Sequence, residues 1–196
     1  MEITLTAPEE ALRAQTLKEY QALLELTKNI SNLEMRQAIE LFLKEHSPVI
    51  DFFTLVSESN YDVRVADETP QGPSASTREN IAHIIVNLED RIGGLEQGKF
   101  EWRDDEAKQK AEEPLRALTK PLLLERLMKA DKRLVEISQD QTLPTRNIVT
   151  KYATITSAQF MRDIAPHQVF HQGLHGGLMD KMGMPRPQSY TNRWGK

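Results

Sequence analysis

Ser76-Thr77-Arg78-Glu79-Asn80-Ile81-Ala82-His83-Ile84-Ile85-Val86-Asn87-Leu88 is the stretch on which the reading of this chain turns. Ser76 followed three residues later by Glu79 is a capping box: the hydroxyl accepts from a free backbone N–H of the first turn, and the carboxylate reaches back to the cap. Ile81, Ile85, Leu88, Ile92 and Leu95 then recur at alternating spacings of three and four. That spacing gathers them on one face of a helix over about 77–96.

The same signature opens two further helices, at Thr6 with Glu9 and at Thr156 with Gln159. Pro8 falls in the first turn after Thr6, where its missing N–H is harmless. Working outward, the pattern predicts a first helix over about 7–29 and a second over about 32–58, kinked or split by Pro48. A turn-rich loop follows at about 59–75, through Pro70-Gln71-Gly72-Pro73-Ser74. Past the helix that Ser76 opens comes a polar connection, with room for a short helix before a long one over about 115–138. Residues 139–155 read as a loop, with Tyr152 to Ile155 briefly extended. The last helix covers about 157–182 and stops at Gly183, with Pro185 and Pro187 beyond.

Each long segment carries a seam. In the second helix it is Met35, Ile39, Phe42, His46, Val49, Phe53 and Val56; in the one before the 139–155 loop it is Leu123, Leu127, Ala130, Leu134 and Ile137. In the last it is Phe160, Ile164, His167, His171, Leu174 and Leu178. Four amphipathic helices with short connections make an all-α four-helix bundle the simplest fold, the first helix being an addition packed outside it. The chain reads as one domain, with an N-terminal helical extension over 1–31, a bundle core over 32–190 and a tail over 191–196.

With 196 residues, 39% hydrophobic and 28% charged, the composition suits an ordinary folded domain. There is no cysteine, so any metal must be held by His, Asp or Glu. A net charge of -4 and the lack of a basic run argue against nucleic acid as a partner. No signal peptide or membrane-length apolar run is visible, so the expected compartment is the cytoplasm.

Three of the five histidines, His167, His171 and His175, lie four residues apart on the last helix. Neighbours at that spacing can converge on one ion. His167 and His171 sit within the seam, whereas His175 is one position off it, towards its edge. The alternative is a buried polar cluster in which other side chains satisfy the rings. Gly173, Gly176 and Gly177 fall in the same helix, where each is unfavourable by up to about 1 kcal/mol relative to Ala. Close packing or room for a ligand would explain them. Pro166 should kink the helix just before His167. By periodicity the best third ligand is His46, since His83 points away from its own seam towards Asn80 and Asn87.

Ser76–Ile84, ending in Ile81-Ala82-His83-Ile84, resembles the cap-then-helix segment of the DinB-like (DinB/YfiT) superfamily, which ends in Leu-Ala-His-Leu. His167-Gln168-Val169-Phe170-His171-Gln172-Gly173, running on to Gly183-Met184-Pro185, is similar to that family's His-x-x-x-His-x-Gly-Gln-Leu pattern, which ends in a Gly and a Pro. Leu174 stands where the family has Gln, and Asp180-Lys181 where it commonly has Arg. The resemblance implies an up-down four-helix bundle and a divalent ion, zinc or nickel, on His83, His167 and His171. It therefore selects His83 over the His46 that periodicity prefers.

Three imidazoles leave a coordination position open, which is the layout of a catalytic site. The resemblance implies a metal-dependent transferase or hydrolase acting on a small molecule, with a low-molecular-weight thiol as a co-substrate in some relatives. No general base stands out; Asp163 and Asp90 are placed to orient ligands or simply to face solvent. Signatures of zincins, di-iron carboxylate proteins, phosphate-binding loops and serine hydrolases are absent. The competing reading is a non-catalytic bundle acting as an interaction protein, with a structural or vestigial metal site closed by His46 or His175. A homodimer is compatible with such a bundle, and no stretch marks its interface.

Overall fold

The computed structural model describes residues 5–66, 74–187 and 189–190. The Pro70–Pro73 part of the expected loop and the 191–196 tail lie outside the described residues. All three capping boxes form. Thr6 opens α1 (Ala7–Leu26), Ser76 opens α3 (Thr77–Gln97) and Thr156 opens α6 (Ser157–Arg162). Between them run α2 (Leu33–Leu55), capped by Asn32 through its contact with the Met35 N–H, α4 (Asp105–Arg116) and α5 (Lys120–Ile137). The last helix is α7 (Ile164–Met182), closed by Gly183 at φ +64 as the sequence predicts. The chain is mainly helical, in keeping with the all-α expectation.

The seams of α2, α3 and α5 are buried as read, with Ile137 partly buried at the end of the last. α2 is the central element. α6, α7 and α1 pack on it, and α1 also packs on α5; α3 packs on α5 and carries α4. No helix among the described residues is long and apolar enough to cross a membrane.

Pro48 and Pro166 both fall inside segments expected to be helical. α2 runs through Pro48 without splitting. The ring removes one ladder bond, and the carbonyls on either side of that gap take side-chain donors: Leu43 O accepts from the Tyr20 hydroxyl of α1, and Glu45 O from the Gln172 amide of α7. Pro166 does not kink a continuous helix. It cannot donate to the carbonyl four residues back, at Arg162, and there α6 ends. Pro166 then falls in the first turn of α7, where no intrahelical donor is needed.

A buried lysine ties the helix ends together. Lys120, 1% exposed, donates from Nζ to Thr54 O at 3.0 Å and Val56 O at 2.7 Å, covering the C-terminal carbonyls of α2. Glu9 of α1 accepts from the Glu58 N–H at 2.8 Å, so the N-terminal helix is joined to the same corner.

A small sheet, not foreseen apart from the extended stretch near Ile155, closes one end. β1 (Lys99–Phe100) pairs in parallel with β2 (Asn147–Thr150), which pairs antiparallel with β3 (Thr154–Thr156) in the register Ile148 to Ile155. Gly98, at φ +71, ends α3 and turns the chain into β1; a Cβ there would meet Asn147 O at 3.3 Å.

Candidate metal centre

α3 and α7 bring His83, His167 and His171 together. His167 Nε2 stands 3.3 Å from His83 Nε2 and 3.2 Å from His171 Nε2, and the facing ring nitrogens all lie within 4.8 Å of one another. Nitrogens bound at about 2.0–2.1 Å to a tetrahedral ion stand roughly 3.3–3.4 Å apart, so the two short spacings suit such an ion.

The proton arrangement points the same way. His83 Nδ1 lies 2.9 Å from Glu112 Oε1. Burial opposes the charge on Glu112, but the contacts with His83 and Arg116 outweigh it and hold the carboxyl below its usual range. A carboxylate only accepts, so Nδ1 carries the proton and Nε2 presents its lone pair to the cluster. Burial, reinforced by the neighbouring charges of Arg91 and Lys108, pushes His167 down to about 4. Burial and the adjacent imidazoles push His171 well below the ordinary histidine range. Both rings are therefore neutral at pH 7. His167 Nε2 has one in-plane site, an N–H or a lone pair, so only one of its two Nε2 contacts can be a hydrogen bond. His171 Nδ1 is buried with no partner among the described residues. A divalent ion would take one lone pair from each ring, so the donor set fits one.

The second layer comes from elements the sequence reading passed over. Glu112, on α4, is 4% exposed and gripped by Arg116, which also approaches Glu79; Glu79 in turn pairs with Arg64. Asn87, one turn after His83, donates from Nδ2 to His83 Nε2 at 2.8 Å and to His83 O at 2.9 Å. In that arrangement the amide occupies the lone pair an ion would take. The i, i+4 pair of Glu112 and Arg116 was the available signal for α4, but it reads like any solvated charge pair.

A cavity of about 500 Å³ opens on His83 and His171. Lys108, Asp105 and the Glu112–Arg116 pair line its polar side, and Phe170 and Leu174 its apolar side.

His46 does not join the group. It is fully buried on α2, with Nδ1 2.8 Å from Gln168 Oε1 and Nε2 3.4 Å from Asp131 Oδ2. His175 does not join either, and it is not at the seam's edge as expected. It is wholly buried, stacked on Phe52 with ring centroids 4.2 Å apart and edge-on to Phe53 at 5.0 Å. α7 is thus rotated from the expected seam: Gln168, Gln172 and His175 face α2, and Leu174 is 39% exposed. Asp90 is occupied by Arg103 at 2.7 Å, and Asp163 faces Arg91 across a different cavity. The glycines of α7 are not explained by close packing. Among the described residues, a Cβ on Gly173 or Gly176 would meet nothing within 4 Å, and one on Gly177 would meet Val65 at 3.4 Å.

Comparison with known protein families, characterised proteins and solved structures finds no match to this chain, so the three-histidine geometry stands on its own.

Proposed function

We propose that the protein is a DinB-like, metal-dependent enzyme of the transferase or hydrolase type, with zinc or nickel held by His83, His167 and His171. The observation that carries this reading is the convergence of three Nε2 atoms, at 3.2 and 3.3 Å, beside a cavity that His83 and His171 line and that is large enough for a small molecule. Imidazole donors suit either metal. When bound, the ion would supply Lewis acidity and an acidified water or thiol ligand.

The chain's own residues have separate tasks. Glu112 fixes the tautomer and orientation of His83, and Arg116 fixes Glu112. Burial keeps His167 and His171 neutral. Lys108 forms no ion pair among the described residues, and it is placed to hold an anionic part of a substrate whose apolar part lies on Phe170 and Leu174.

The contact from Asn87 to His83 Nε2 favours one other reading, a vestigial or structural site in a non-catalytic interaction protein. Cobalt substitution separates the two. At an open site, adding a small thiol such as 2-mercaptoethanol should produce a thiolate-to-cobalt charge-transfer band. A cobalt spectrum unmoved by thiol and by azide would favour the closed, non-catalytic reading.

A further inference from the structure

A second cavity lies outside the histidine cluster, where α3 meets the small sheet. It measures about 780 Å³, within the range of roughly 300–1,000 Å³ typical of small-molecule sites. Its floor is Arg91, 6% exposed, with the guanidinium carbon 5.0 Å from the Trp102 ring centroid, 5.1 Å from Phe160 and 5.5 Å from Phe100. Among the described residues, the only hydrogen bond of that guanidinium is a long one, Nη1 to Phe160 O at 3.5 Å. A guanidinium has five N–H donors, so most of this planar fork is uncommitted in a cavity that it lines.

The walls are aromatic and wet. Trp102 is 57% exposed and Tyr152, at the tip of the β2–β3 hairpin, 82%. Large rings left in water beside a cavity are platforms on which a planar group can stack. The charges also select a ligand. Four charged residues line the cavity: Arg91, Lys151, Glu101 and Asp163. Glu101 is held by Lys99 at 2.8 Å. The remainder is two cations against Asp163, an excess of one positive charge. That suits a single carboxylate better than a doubly charged phosphate.

We infer that this cavity binds a planar aromatic carboxylate, its carboxylate on the Arg91 fork and its ring against Trp102 and Tyr152. Burial lowers the Arg91 pKa only to about 10, so the guanidinium stays charged at pH 7. Among the described residues, this cavity shares no lining residue with the one at the histidines.

The test is an NMR titration of the ¹⁵N-labelled full chain with trans-cinnamate and with its neutral isostere cinnamamide. The readout is the indole N–H peak of Trp102, assigned by comparison with Trp194→Phe. Saturable shifts with cinnamate are expected, with binding at least about tenfold weaker for the amide, which lacks the charge-assisted pair. Tyr152→Ala, at a mostly exposed position, should weaken cinnamate binding at least about threefold by removing a stacking surface, with the rest of the spectrum unchanged. Arg91→Lys, which keeps the charge and loses the fork, should weaken it about tenfold. Equal binding of acid and amide would overturn the assignment of Arg91 as the anion site. No saturable shift of the Trp102 peak up to about 10 mM, the weak end of specific binding, would overturn the site altogether.

Discussion

Glu112 and His83 are joined across 29 residues by one contact, Oε1 to Nδ1 at 2.9 Å, and that contact decides which way His83 offers its lone pair. The carboxylate comes from α4 and the imidazole from α3, so packing α4 on α3 also sets the tautomer.

Glu112→Gln should therefore weaken zinc binding about 10- to 100-fold, because an amide can present its N–H₂ to Nδ1 and favour the wrong tautomer. Competition against a chromophoric chelator measures this, with far-ultraviolet circular dichroism as the check on folding. Unchanged affinity would mean that Glu112 does not orient His83.

The buried pair of His46 and Asp131 gives a pH prediction. Burial opposes charge on His46, but the Asp131 carboxylate 3.4 Å away and the Gln168 carbonyl outweigh it, and its pKa is raised. The folded value lies above the unfolded one, so the folded state holds the proton longer. This stabilisation is full below about pH 6.5 and is lost as the pH climbs through the folded value. In metal-free protein the buried neutral histidines of α7 pull the other way, stability rising with pH, and they do so in wild type and variant alike. The pair therefore shows as a difference in urea titrations: the stability advantage of wild type over Asp131→Asn should be largest near pH 6 and shrink as the pH climbs through that window. Parallel curves for the two proteins would rule out this role for the pair.

Lys120→Met keeps the aliphatic stem but strips the donors from Thr54 O and Val56 O. Two buried carbonyls lose their partner, and stability should fall by about 2–3 kcal/mol in urea denaturation. A change below about 0.5 kcal/mol, the size of an ordinary surface effect, would contradict the role given to this residue.

Gly173→Ala adds a methyl group inside a helix that meets none of the described residues within 4 Å. It should stabilise the protein by about 0.5–1 kcal/mol through backbone entropy alone. A lower melting temperature would show that the position is constrained by something beyond the described residues.

Much of the architecture was legible where apolar type and inward position coincide. Met35 to Val56, Ile81 to Leu95 and Leu123 to Leu134 are buried in the pattern their spacing predicts. α7 departs from its expected face because the two part company there. Gln168 and Gln172 face inward only because His46 and Glu45 O wait on α2, and those partners exist only once the fold has formed. Leu174, apolar by type, lines a cavity instead. The same rotation buries His175 against Phe52. The grouping of His83 with His167 and His171 followed from the motif, whereas periodicity favoured His46. The seam locates the core of a helix, and His83 works from its flank. Glu112 was hidden in a charged segment whose inward side only α3 defines.

The most direct test of the metal-site account is elemental analysis of the untagged protein, wild type beside the double variant His167→Ala, His171→Ala. The account predicts about one equivalent of zinc or nickel in the wild type, as for a single three-histidine site, and its loss in the variant. A wild type that retains no metal after incubation with excess zinc or nickel and desalting would contradict it, and the three histidines would then be a polar cluster of the core.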